Sequence, residues 1–252
     1  MARTIPSQRM AGRYPGNLLG DGIFQRPFGS DCGFQLSLVP VIALCESISP
    51  RRLDPKGIAG WLAMAALLHR YSHATETALD QDLRACRSDD PIGKLLSNVR
   101  RDVGGFASVP SDFRGALNDK GALFATYIAC RHMGLRDLFS GSKILLQANV
   151  DRHHLLPRAQ FPERSRQRAD MIANIAFITG GANRSIGAPS PEVYLSELSR
   201  EVRKSQCIPE DVHLWRISRC EDFWEARRRL LSDAFNGALR TMLPGRRIDA
   251  AA

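Results

Sequence analysis

A helix that is apolar on nearly every side cannot lie on a protein surface, and this chain contains one. Between Lys56 and Tyr71 the residues Ile58, Trp61, Leu62, Met64, Ala65, Leu67 and Leu68 are spread around the helical wheel, so other elements must enclose the segment. The sequence on either side has helical spacing as well. A short buried helix is expected in 34–45, punctuated by Pro40, and further helices over 74–87, 92–103 and 119–133, the last stopped at Gly134. No useful period-two alternation interrupts them. The expectation is a helical domain over 34–139, preceded by a poorly ordered lead over 1–33 that is rich in Pro and Gly. The longest unbroken apolar run, Trp61 to Leu68, has eight residues, whereas a bilayer span needs about twenty. No membrane segment and no secretory signal are expected, and the cytoplasm is the expected compartment.

The composition turns flexible at Ser140-Gly-Ser-Lys143. Beyond it, Ile144–Leu146 and Val150–Leu156 are predicted to be extended. Asn174-Ile-Ala-Phe-Ile-Thr179 is β-branched and aromatic and predicts a second strand. Ser190-Pro191-Glu192 opens a helix striped by Tyr194, Leu195, Leu198 and Val202. A last helix runs from Glu221-Asp222 through Phe223, Leu230, Leu231, Ala234, Phe235, Ala238 and Leu239 to Pro244-Gly245, with Arg227, Arg228 and Arg229 on its exposed side. The predicted architecture is mainly α, with a small two-stranded unit over 140–190 inserted near the C-terminal third and the helices of 191–243 packed on it.

Lys and Arg exceed Asp and Glu by 35 to 26, a net charge of +9 that favours polyanionic partners, nucleic acid first among them. Of the six cysteines no two are closer than thirteen residues, so no local Cys-x-x-Cys zinc site can form and reduced thiols are expected. No glycine loop of the Walker type is present, so no nucleotide hydrolysis is expected.

The chemistry is concentrated in Val150-Asp-Arg-His-His-Leu-Leu-Pro157, followed by Asn174 and, nine residues on, Asn183. Hydrolysis of a phosphodiester with one metal ion needs a base for the water, ligands for the cation, and a group that fixes the loop between them. These residues resemble the His-Asn-His (HNH) nuclease motif in its His-Asn-Asn form. The flanking sequence, Ala169 to Thr179 and Asn183 to Leu195, resembles the C-terminal part of GmrSD-type modification-dependent restriction endonucleases. Trp61 to Tyr71, Leu79-Asp-Gln-Asp-Leu83 and Ile208-Pro-Glu-Asp211 are similar to helical segments that accompany that domain, so the resemblance extends over about 34–242.

The resemblance implies a ββα-metal (HNH) fold for 140–190 and a metal-dependent DNA endonuclease of a restriction or phage-defence system, or a fragment of one. It implies His154 as general base, His153 and Asn183 as metal ligands, and Asn174 as the residue that ties the loop between the strands so that His154 points at the phosphate. Asp151 is a third metal-site candidate, as a ligand directly or through water, or as a partner that orients an imidazole. Arg158, Arg164, Arg166 and Arg168, in the stretch between the histidines and Asn174, and Arg184 are candidate contacts to the DNA backbone. Many HNH nucleases have a carboxylate where His153 stands. A His and Asn pair suits Mn²⁺, Ni²⁺, Co²⁺ or Zn²⁺ better than Mg²⁺, so one divalent ion of the former group is expected. GmrSD-type proteins begin with a ParB/sulfiredoxin-like domain marked by Asp-Gly-Gln-Gln-Arg, which this sequence lacks, so a separate subunit of that kind is an expected partner. The alternative reading is a catalytically idle DNA-binding remnant or a regulatory subunit, and a third is a purely helical protein-interaction domain.

Overall fold

The computed structural model describes residues 35–72, 74–179, 190–246 and 248; the lead over 1–33 lies outside them. The described chain is mainly helical, with a single two-stranded antiparallel sheet. Helices α1 (Leu38–Ser47), α2 (Pro55–Leu67), α3 (Thr75–Ala85), α4 (Pro91–Val103) and α5 (Lys120–His132) make the first half. Strands β1 (Val150–His154) and β2 (Ile175–Thr179) follow, then α6 (Pro191–Glu197), α7 (Arg200–Ser205) and the long α8 (Cys220–Met242).

Aspartates start three of these helices. Asp54, Asp90 and Asp119 each accept the backbone N–H three residues on, at 2.9, 3.0 and 2.8 Å, and Pro55 and Pro91 occupy the first helical position. Each such cap stabilises by about 1 kcal/mol. Helix α2 is the enclosed element: Trp61, Leu62, Met64 and Leu67 are all buried, and α4, α5 and α8 pack around it. Gly121 lets α5 cross α2 at backbone distance, because a Cβ there would stand 2.0 Å from the carbonyl oxygen of Ala66. Gly134 turns the chain after α5 at φ +80°, in the left-handed region where glycine alone is unstrained.

Ile144–Leu146 is not a strand. Lys143 makes one isolated bridge to Arg136, Ile144 is buried, and Leu145 and Leu146 are exposed. The helix expected from Pro191 through Val202 is two helices: Leu198 is extended at ψ 140°, and Ser199 caps a new start by accepting from the Val202 N–H at 3.3 Å.

Two hydrophobic clusters meet at the ribbon. Ile175 and Phe177 of β2 belong to the cluster around α2 and α5, whereas Ala176 and Ile178 belong to the one formed with Leu155, Leu156, Leu195, Trp215 and Trp224. Alternation along a strand sends successive side chains to opposite faces, so β2 is buried on both. Helix α8 also spans both clusters, through Phe223 and Trp224 at one end and Leu231, Phe235 and Leu239 beyond. It therefore packs on the helical half as well as on the ribbon.

Candidate functional site

The ribbon fixes the two histidines. β1 pairs with β2 antiparallel, with His153 opposite Ala176 and His154 opposite Ile175. Neighbours on a strand project to opposite faces, and the contacts follow that rule. The His153 ring stands edge-on to Phe139 and Tyr194, with centroids 5.0 and 6.4 Å away. His154, the last residue of β1, places its Nε2 3.0 Å from Oδ1 of Asp170. An ionised carboxylate only accepts, so in the neutral ring Nε2 carries the proton and Nδ1 keeps its lone pair. Both side chains of this pair are a little over a quarter exposed, and Arg158 lies 3.6 Å from the other oxygen of Asp170.

Asn174 sets the spacing of that pair. It is fully buried, and its Oδ1 accepts the Leu156 N–H at 2.8 Å. Its Nδ2 donates to the carbonyls of Leu156 at 2.9 Å and Ala169 at 2.8 Å, and its own carbonyl accepts the Leu155 N–H at 2.8 Å. Leu155 and Leu156 follow His154 and Ala169 precedes Asp170, so the main-chain carbonyl and the carboxamide of Asn174 together tie the backbone after the imidazole to the backbone before the carboxylate. The Tyr194 hydroxyl donates to the Leu155 carbonyl from the other side. Main-chain bonds from Leu117 N to Asp170 O (2.9 Å) and from Ile172 N to Gly115 O (2.8 Å) anchor the carboxylate's segment to the helical half.

Behind this frame stand residues that the sequence pattern did not single out. Arg227, expected on the exposed side of the last helix, is fully buried: Nη1 donates to the Ala173 carbonyl at 2.9 Å and Nη2 to those of Ile175 and Gln206 at 2.7 and 3.0 Å. It thus clamps the chain on both sides of Asn174. Burial lowers its pKa, partly offset by Cys130, Cys207 and Tyr194. Arg228 is buried too, while Arg229 is exposed. The Gln206 amide covers the outer edge of β2 by accepting from Phe177 N (3.1 Å) and donating to Phe177 O (2.6 Å). Asp137 closes its end, accepting from the N–H and hydroxyl of Thr179 at 2.6 and 2.8 Å.

The arginines of the connecting stretch divide. They lie in the first two of three 3₁₀ segments, Arg158–Gln160, Glu163–Asp170 and Ile172–Asn174. Arg164 and Arg166 are exposed. Arg168 pairs with Glu221 and lies over the Trp224 ring at 5.7 Å, and Arg158 leans on Asp170. Asn183 and Arg184, with the short helix expected at 182–186, lie outside the described residues.

As for a cation, Asp151 is exposed on β1 and two residues from His153, so alternation puts a carboxylate and an imidazole on one face. Among the described residues no three His, Cys, Asp or Glu side chains converge as a metal cage. One imidazole nitrogen and one carboxylate oxygen make a mixed pair that fits a borderline divalent ion better than Mg²⁺. Comparison of the chain with protein-family models, curated proteins and solved structures gives no match.

Proposed function

We propose that this protein is a metal-dependent DNA endonuclease of the HNH kind, with a role in restriction or phage defence. The observation that carries the reading is the His154–Asp170 pair, held at the connected end of the ribbon by the buried amide of Asn174. A base near neutral pH needs a ring whose free nitrogen faces solvent and whose other nitrogen is fixed. In this role His154 Nδ1 takes a proton from water, Asp170 stabilises the resulting imidazolium, and the hydroxide attacks the phosphorus as the 3′-oxygen leaves. His153, Asp151 and Asn183 would hold one divalent ion, which supplies charge neutralisation at the phosphate and the leaving oxygen. Among the described residues no further strand pairs with β1, and on this reading a phosphodiester lies along that edge, within reach of both faces of the strand. Exposed Arg164 and Arg166 give backbone contacts without base readout.

Nicking of supercoiled plasmid in Mn²⁺ is the test. His154→Ala is expected to lose nicking by about 100-fold or more, and Asp170→Asn by about 10- to 100-fold, with no change in fold. Rates in Mn²⁺ or Ni²⁺ are expected to exceed those in Mg²⁺; equal or greater rates in Mg²⁺ would refute that preference. The absence of nicking in every metal, or undiminished nicking by His154→Ala, would overturn the nuclease reading. Salt-sensitive DNA binding without cleavage would instead favour an idle DNA-binding subunit, a reading to which Arg164 and Arg166 contribute without any catalytic group.

A further inference from the structure

The helical half holds a second polar feature, independent of the ribbon chemistry. A cleft of about 430 Å³ opens between the end of α2, the start of α3 and α4, with Leu68, Ala78 and Val99 as apolar lining and Arg70, Gln81 and Asp102 as polar lining. The size suits a small molecule. Arg70 forms its floor with a side chain 1% exposed. The guanidinium is held on one edge by Asp82 through Nε–Oδ2 at 2.5 Å and Nη2–Oδ1 at 2.9 Å, and its Nη1 donates to Asp102.

The two carboxylates are not equivalent. Asp82 is fully buried and also accepts from the Tyr71 hydroxyl (2.5 Å) and Asn98 Nδ2 (2.8 Å), so it takes four hydrogen bonds and its lone pairs are saturated. Asp102 is 47% exposed at the side chain, and it stands in the last turn of α4, where the helix dipole disfavours a negative charge. Asp82 is built in, whereas Asp102 can turn out to water. His69 and Ala74, which also line the cleft, are two of the three described non-glycine residues with positive φ, at 50° and 49°. Such backbone costs about 1–3 kcal/mol per residue and gathers at ligand sites.

We infer that this cleft binds a small organic oxyanion, a carboxylate or phosphate on a compact apolar body, whose oxygens replace Asp102 on the Nη1 edge of Arg70. The exchange is of one anion for another, so the buried Arg70–Asp82 pair stays intact. The apolar body lies on Leu68, Ala78 and Val99, and the Gln81 amide adds a polar contact. Asp102 is then the protein's own occupant of the site, and removing it strengthens binding.

Calorimetric titration with two probes, inorganic phosphate and benzoate, tests this on the wild type, on Asp102→Ala and on the double variant Arg164→Ala/Arg166→Ala. Asp102→Ala is expected to bind at least one probe ten or more times more tightly than the wild type, and the ribbon variant to bind it as the wild type does. A gain for phosphate alone identifies a phosphate ligand, and a gain for benzoate alone a carboxylate. Unchanged or absent binding of both probes in Asp102→Ala overturns the inference. So does a loss of binding in the Arg164→Ala/Arg166→Ala variant, which would place the anion on the ribbon. Plasmid nicking does not enter either outcome, so this inference and the nuclease reading fail separately.

Discussion

Arg70 and Arg227 are both buried, one in the helical half and one beneath the ribbon, and their charges are met by different means. Burial alone would lower the pKa of either. For Arg70 the hydrogen bonds and charge of Asp82, with Asp102 behind them, outweigh burial and raise it; for Arg227 burial prevails. Arg70 answers a carboxylate, whereas Arg227 is held only by three carbonyl dipoles and leaves its Nε without a partner among the described residues. A buried ion pair can be replaced as a unit, because removing both charges also removes both desolvation costs. A guanidinium on carbonyls has no single partner to remove with it. The helical half is thus built around an exchangeable pair, and the frame of the candidate site around a residue with no simple substitute.

The largest effect that would sharpen this contrast is Arg70→Met. It strands the buried Asp82 carboxylate and is expected to cost about 3–5 kcal/mol in urea unfolding. Adding Asp82→Leu should recover much of the loss, and a double variant no more stable than Arg70→Met alone would break the comparison. Next comes Arg227→Met, which orphans three buried carbonyls and is expected to cost about 2–4 kcal/mol. Amide exchange should then rise first at Leu155, Leu156 and Ile175–Thr179, and protection lost uniformly across α2 and the ribbon would argue against a local clamp.

The smallest expected effects lie in the pH dependence, and they have opposite signs. Burial, then hydrogen bonding to Asp82, raises the Tyr71 pKa above its ordinary 10.0. Its contribution is therefore complete below pH 10 and lost as pH rises through the raised value. Burial works against the Asp137 carboxylate, but the N–H groups of Ser140 and Thr179 outweigh it and hold its pKa below 3.8. Its contribution is complete above pH 3.8 and lost as pH falls through the lowered value. Tyr71→Phe should flatten the alkaline limb of the stability profile and Asp137→Asn the acid limb, each by about 1 kcal/mol. An alkaline limb unchanged in Tyr71→Phe would remove that residue from the account.

The helices were legible where apolar spacing was dense. The enclosed segment from Lys56 falls on α2, which ends at Leu67 where the chain turns rather than at Tyr71. The two β-branched or histidine-bearing runs at 150 and 175 fall on β1 and β2. Charge alone sends Arg227 and Arg228 to the exposed side of the last helix without regard to their place on the wheel, and the structure buries both. Arg227 lies four residues from both Phe223 and Leu231, which are buried as well. It stands in register with the apolar stripe, and that register is the signal in the sequence. Leu230, read as part of the stripe, is 40% exposed, because it falls at the margin of the buried arc. Asp170 carried no local signal at all. Its meeting with His154 depends on a sixteen-residue excursion closed by the Asn174 amide, a contact that spacing cannot reveal.

Because one strand serves as the dividing wall of both cores, its ordering is not a private matter of the ribbon. Ile175 and Phe177 cannot leave one side, nor Ala176 and Ile178 the other, without opening apolar surface that α2, α5 and α8 share. Excursions that displace Ile175, the partner of His154 across the ribbon, therefore draw on the free energy of both cores.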